Sequence, residues 1–163
     1  MSKKTAFIGL GVMGYPMAGH LKKSGCQVTV YNRTSAKAEQ WVKEFGGSKA
    51  ETPTEAASGA DFVMSCVGND NDLRQVAIGE KGAFEGMSAG AVFIDHTTAS
   101  ASVARELAQK AQQREFSFLD APISGGQAGA ENGVLTVMVG GEQEAFDRAY
   151  PVMQAYSKMI KLL

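Results

Sequence analysis

Short apolar runs alternate with longer segments of helical period along the whole chain. Thr5–Gly9 (TAFIG) reads as a buried strand, and Met13–Ser24 follows with Met13, Met17 and Leu21 spaced along one helical face. Gly25 then stands where a helix C-terminus is capped. Gln27–Tyr31 (QVTVY) is rich in β-branched residues and predicts a second strand. Thr34 or Ser35 caps a helix that runs to Phe45 and is ended by Gly46 and Gly47. The pattern continues with a short strand, Ser48–Ala50, and a small helix opened by Pro53 and Thr54 that ends near Ser58 and Gly59. Next come a strand Asp61–Val67, a helix Asp70–Ile78, a strand Ala91–Asp95, a helix Ser100–Arg114 and a strand Ser117–Asp120. The last part gives a strand Val134–Val139, a helix Glu142–Tyr156 and the start of another strand at Met159–Leu163.

Strands separated by helices pair in parallel, because parallel neighbours need a crossover. The pattern therefore predicts an α/β protein of Rossmann type: a doubly wound, mainly parallel sheet with helices on both faces. The 163 residues suffice for one domain, with no internal repeat, low-complexity tract or linker. Apolar residues make up 44% and charged residues 20%, ordinary values for a globular domain. A net charge of -1 gives no electrostatic case for nucleic acid or an anionic membrane as partner. Cys26 and Cys66 lie in apolar surroundings and read as reduced core thiols, which points to a reducing compartment.

The opening MSKKTAFIGLGVMG imitates a signal peptide, but Gly9, Gly11, Gly14 and Pro16 spoil its apolar run. No stretch approaches the roughly 18 apolar residues of a membrane span. The expected location is cytoplasmic. The chain stops at KMIKLL, inside an apolar run with no turn, cap or polar tail, and this reads as a fragment of a longer protein.

Two glycine clusters carry the chemistry. Gly9-Leu10-Gly11-Val12-Met13-Gly14 is a GxGxxG set between a predicted strand and a predicted helix, the context a dinucleotide-binding turn requires. Gly9 permits the tight turn, Gly11 lets the backbone approach a pyrophosphate, and Gly14 lets helix and strand pack closely. The helix start then presents N–H groups to the phosphates. The second strand ends in Asn32, Arg33 and Thr34 in place of the carboxylate that binds an adenosine ribose. A neutral amide, a guanidinium and a hydroxyl suit a 2′-phosphate, so NADP is expected in preference to NAD. Arg33 as a surface charge stacking on adenine is the alternative, and that arrangement also serves NAD. The second cluster, Asp120–Ala130, follows a predicted strand, where Ser124 and the bare backbone of Gly125 and Gly126 are placed to hold a carboxylate. A plain flexible loop is the alternative. His20 and His96 are isolated and the carboxylates do not cluster, so no metal site is expected.

Four segments, FIGLGVMGYPMAGHL (7–21), CVGNDNDLRQV (66–76), IDHTTAS (94–100) and DAPISGGQAGAENGVLTVMVGG (120–141), resemble the β-hydroxyacid dehydrogenase family, which includes 3-hydroxyisobutyrate dehydrogenase and tartronate semialdehyde reductase. The likeness spans essentially the whole chain. It implies hydride transfer between NAD(P) and a small 3-hydroxy acid or its semialdehyde. The resemblance assigns the pyrophosphate to Gly9–Gly14 and the adenosine end to Asn32, Arg33 and Thr34. Val67 and Gly68 fall to the cofactor's middle, Asp72 and Thr98 to the nicotinamide side, and Ser124, Gly125 and Gly126 to the substrate carboxylate. Asp72 as a simple decoration of the helix near Asp70 stays open. Family members continue into a helical domain that supplies a lysine general acid/base, so no catalytic residue is expected within 1–163, an NAD(P)-binding domain. Lys158 and Lys161 read as surface charges. The whole protein is expected to be a homo-oligomer. The rival reading is a non-catalytic dinucleotide-binding or interaction module of the same fold.

Overall fold

Continuous apolar strands with no polar alternation are the mark of a sheet covered on both faces, and β1 (Lys4–Ile8) shows why. Phe7 turns into one core while Ala6 and Ile8 turn into a second one on the opposite face. The computed structural model describes residues 3–163. In it β1, β2 (Gln27–Tyr31), β3 (Ser48–Lys49), β4 (Phe62–Ser65), β5 (Val92–Asp95) and β6 (Ser117–Asp120) form a six-stranded sheet. Its order is β3-β2-β1-β4-β5-β6 and every pairing is parallel. This is the doubly wound dinucleotide-fold order, with the reversal between β1 and β4.

Helices α1 (Gly14–Lys23), α2 (Ser35–Phe45) and α7 (Gln143–Met153) pack Met17, Leu21, Trp41 and Met153 against Phe7, Met64 and Ile94. On the other face α3 (Pro53–Ala57), α4 (Asp70–Ile78) and α5 (Ala101–Gln113) pack Ala57, Leu73, Val103 and Leu107 against Ile8, Val63 and Phe93. The helix starts follow capping chemistry. Thr52, Asn69 and Ser100 each accept a hydrogen bond from the N–H three residues on. Gly46 ends α2 in the left-handed conformation.

The glycine cluster after β6 departs from the loop alternative. Ile123–Ser124 forms β7, and Gly126–Asn132 forms α6. GQAGAEN carries no apolar stripe to announce a helix. Its position is fixed from outside, by His20 on α1, whose Nε2 lies 3.0 Å from the Ala130 carbonyl and 2.9 Å from that of Glu131. The C-terminal strands also do not extend the large sheet. β7, β8 (Leu135–Val139) and β9 (Ser157–Leu162) make a separate three-stranded sheet, antiparallel between β7 and β8 and parallel between β8 and β9. A bridge between Asp120 and Gly140 joins it to the end of β6. His96 closes the seam between the sheets: its Nδ1 lies 2.7 Å from the Ala121 carbonyl and its Nε2 2.7 Å from the Tyr156 hydroxyl. No helix is long and apolar enough to cross a membrane among the described residues.

Candidate cofactor site

The strand order reverses between β1 and β4, and open α/β sheets bind ligands at the carboxyl edge of such a switch point. A cavity of ≈ 560 Å³ lies there, lined by Gly9–Gly14, Asn32, Arg33, Val67, Gly68 and Asp72 among others. Its volume falls in the range of about 300–1,000 Å³ typical of small-molecule sites.

The three glycines of the turn have different reasons to be glycine. Gly9 has φ +100°, and a Cβ there would run into the Cys66 carbonyl. A Cβ on Gly14 would run into the carbonyl of Gly9. Both are needed to build the turn. Gly11 is not, since a Cβ on it would meet nothing within 4 Å. It lines the cavity, so its bare backbone serves something that enters there. Behind it, α1 starts at Met13 with no side-chain cap and no acidic residue in its first turn. Unpartnered N–H groups at such a start favour an anion. The turn therefore fits the pyrophosphate of a dinucleotide.

At the end of β2, Asn32 is also a structural residue. Its Oδ1 accepts the Leu10 N–H at 2.9 Å, and its Nδ2 donates to the Thr34 carbonyl at 3.1 Å. Asn32 therefore pins the glycine turn to β2, while the second hydrogen of its Nδ2 is left for a ligand beside Arg33, since both residues line the cavity. Thr34 takes the N-cap place of α2 without a side-chain cap bond and is absent from the cavity lining. The Arg33 side chain is 87% exposed, with its guanidinium 3.8 Å from the Asp72 carboxylate. Asp72 also lies over Gly68, where a Cβ would stand 3.0 Å from Oδ2. Its amide donates to Asn69 Oδ1 at 2.8 Å, which fixes it in the first turn of α4. Asp72 is thus at the Arg33 corner and separate from Thr98, which is exposed and outside the lining.

Beneath the cavity runs a polar layer that spacing did not single out. Ser65, Asp95 and Asp120 stand opposite one another at the ends of β4, β5 and β6. Asp95 is fully buried; its Oδ1 accepts from Ser65 Oγ at 2.8 Å and from the Thr97 N–H at 3.0 Å. Thr97 Oγ1 in turn accepts the Val67 N–H at 3.1 Å. Burial, reinforced by the Asp95 charge, pushes the Cys66 thiol up to about 12, so it stays protonated on the cavity wall. The signal in the sequence was a charged residue closing an apolar strand (VFID) before hydroxyl residues.

The second cluster builds a smaller cavity of ≈ 250 Å³, lined by Ser124 and Gly125 with Asn132, Thr136 and Lys158. It shares no lining residue with the first. Gly126 opens α6 and does not line it. Lys158, expected as a plain surface charge, does.

Residues 4–163 match the family described as the NAD binding domain of 6-phosphogluconate dehydrogenase. A protein of Shewanella frigidimarina named "Uncharacterized oxidoreductase" is 64% identical over 160 residues, 98% of this chain and 55% of its own length. A solved structure of Mycobacterium tuberculosis 3-hydroxyisobutyrate dehydrogenase with L-serine has 30% identity and a TM-score of 0.91, over 99% of this chain and 54% of that one. Another, of Psf3 in complex with NADP+ and 2-OPP, has 25% identity and a TM-score of 0.91, over 98% and 56%. The chain spans about half the length of the curated relatives it matches.

Proposed function

Since the chain belongs to the family of the NAD binding domain of 6-phosphogluconate dehydrogenase, we propose that it is the cofactor domain of an oxidoreductase that interconverts a small 3-hydroxy acid and its semialdehyde. The observation that carries the cofactor half is Gly11: no neighbour in the chain needs it to be glycine, and it faces the cavity. Bound there, NAD(P) supplies the hydride acceptor or donor. The Gly9–Gly14 turn holds the pyrophosphate, with the N–H groups of Gly9 and Leu10 bonded to Tyr31 and Asn32 and those after them facing the phosphates, and Val67 and Gly68 flank the middle of the molecule. Arg33 meets a 2′-phosphate, with no carboxylate at the end of β2 to repel it, and this favours NADP over NAD.

The substrate half rests on DAPISGG, with Ser124 and the Gly125 and Gly126 backbone holding a carboxylate. L-serine, the small molecule with the mycobacterial relative, is itself a 3-hydroxy carboxylate. The general acid/base is placed outside the cofactor cavity. The titratable residues on its wall are Tyr31, Arg33, Cys66 and Asp72, and Cys66 is held protonated. His96 is buried with both ring nitrogens engaged. A lysine outside residues 1–163 would take the general acid/base role, and the active protein is a cytoplasmic homo-oligomer. The second reading is a dinucleotide-binding module of the same fold without chemistry, which the separation of the two cavities favours.

Isothermal titration with NADPH and NADH tests the cofactor reading. NADPH is expected to bind more tightly; equal or reversed affinities overturn the preference, and binding of neither overturns the site. Hydride transfer from NADPH to tartronate semialdehyde by a protein that includes the further helical domain separates enzyme from module.

A further inference from the structure

A buried carboxylate without a cation is expensive to keep, and an apolar residue would cost the fold less. Asp95 is such a group. It is fully buried, takes part in no ion pair among the described residues, and leaves Oδ2 without a hydrogen-bond partner. Its other oxygen gathers Ser65 Oγ from the end of β4 and the Thr97 N–H from the turn after β5. Thr97 then receives the Val67 N–H. The bonds run from Asp95 through Thr97 to the Val67–Gly68 wall of the cavity. Asp95 thus fixes the Thr97 backbone, and the Thr97 hydroxyl holds the Val67 N–H.

We propose that Asp95 is a positioning residue for the dinucleotide, acting through Thr97 to hold the Val67–Gly68 wall at the distance the cofactor requires. The inference rests on this cavity being the cofactor site. Three groups face the carboxylate: Asp120 across β6, Cys66 after β4, and its own chain neighbour His96. Burial and the Asp120 charge push Asp95 up to about 6, against the opposing bonds from Thr97 and Ser65. Cys66 stays protonated and His96 neutral in that range. Protonation makes Asp95 a weaker acceptor, loosens Thr97, and releases the wall.

The experiment is titration of NAD+, which has no 2′-phosphate to titrate in the same range, at intervals from pH 5 to pH 7, with thermal unfolding followed in parallel. In the wild-type protein the dissociation constant is expected to rise about fivefold as pH falls through 6, the difference between a charge-assisted and a neutral hydrogen bond. Asp95→Asn keeps an acceptor but cannot titrate, so its affinity should be flat with pH. Thr97→Val should weaken binding about tenfold, the loss of one buried hydrogen bond, and Asp95→Asn should add little on top of it. A pH profile in Asp95→Asn that matches the wild type, or additive effects of the two substitutions, overturns the inference while leaving the site intact. Failure of the wild-type protein to bind NAD+ overturns the site and the inference together.

Discussion

The two cavities are built in different ways. The larger has a glycine turn on one wall at the edge of a parallel sheet, where steric contact requires Gly9 and Gly14 and nothing in the protein requires Gly11, and side chains such as Arg33, Val67 and Asp72 on the rest. The smaller mixes glycines with the polar side chains Ser124, Asn132, Thr136 and Lys158, on a small sheet that shares the core beneath α1 and is tied in by a bridge and by His96. A glycine whose Cβ would meet nothing marks the first region, and a lysine beside a serine hydroxyl marks the second. Each of these features can be changed without touching the other.

Substitution at Gly11 breaks this comparison most severely. Gly11→Val should leave the circular dichroism spectrum and melting temperature essentially unchanged, since a Cβ there meets no protein atom within 4 Å. It should nevertheless abolish NADPH binding by filling the pyrophosphate space. Gly14→Ala should do the reverse and lower the melting temperature, because its Cβ collides with the Gly9 carbonyl. Ser124→Ala should alter neither cofactor affinity nor stability. A folded Gly11→Val protein with wild-type affinity would place the ligand elsewhere.

The seam between the regions is the next point of attack. Burial holds His96 down at about 4, against an opposing bond to the Ala121 carbonyl. An imidazole neutral in the fold but protonated in the unfolded chain gives stability that is full above pH 6.5 and declines as pH falls toward 4. The size is about 3 kcal/mol by linkage. Asp95, raised to about 6, has the opposite slope: its contribution is greatest below its ordinary value near 3.8 and declines as pH rises to 6. Between pH 4 and 6 the two neighbours offset each other. Urea midpoints of Asp95→Asn should therefore drop more steeply than wild type on acidification, and those of His96→Gln less steeply. Parallel profiles for all three proteins would mean that neither group titrates in that window.

What the sequence disclosed, and what it hid, follows the same division. β2, α4 and β6 have the bounds that pattern and caps predict, because apolar period and local capping determine them. α6 escaped because Gly126–Asn132 has no period of its own and is held by His20, far away in the chain. The contacts of Asn32 and Asp72 were hidden for a related reason. Each meets a partner from another element, Leu10 in one case and Arg33 in the other. The residue types were visible in the sequence, but their hydrogen bonds were not.

Arg33 gives a smaller, sharper test of the first region. Arg33→Asp should weaken NADPH by about 1–3 kcal/mol, the usual cost of losing a charge-assisted contact. The low end is expected for a side chain this exposed. NADH affinity should change much less. Equal losses for the two cofactors would show that Arg33 stacks on the adenine and does not read the 2′-phosphate.

Asp72 carries the smallest predicted effect and the one that separates its two roles. Its carboxylate lies 3.8 Å from the Arg33 guanidinium, in a pair open to solvent. Pairs of this kind are worth about 0.2–1 kcal/mol, and a 2′-phosphate arriving at Arg33 must compete with that attraction. Asp72→Asn keeps the size of the side chain and leaves the amide bond to Asn69 in place, so α4 should start as before. Arg33 is then free for the phosphate, and NADPH should bind about 1.4- to fivefold more tightly, the same energy expressed as an equilibrium. NADH, which has no phosphate at that corner, should be unaffected. Raising the salt concentration should erase the gain, because exposed charges are screened within about 10 Å at 0.1 M. If NADPH and NADH both weaken instead, Asp72 holds the cofactor directly and its contact with Arg33 is secondary.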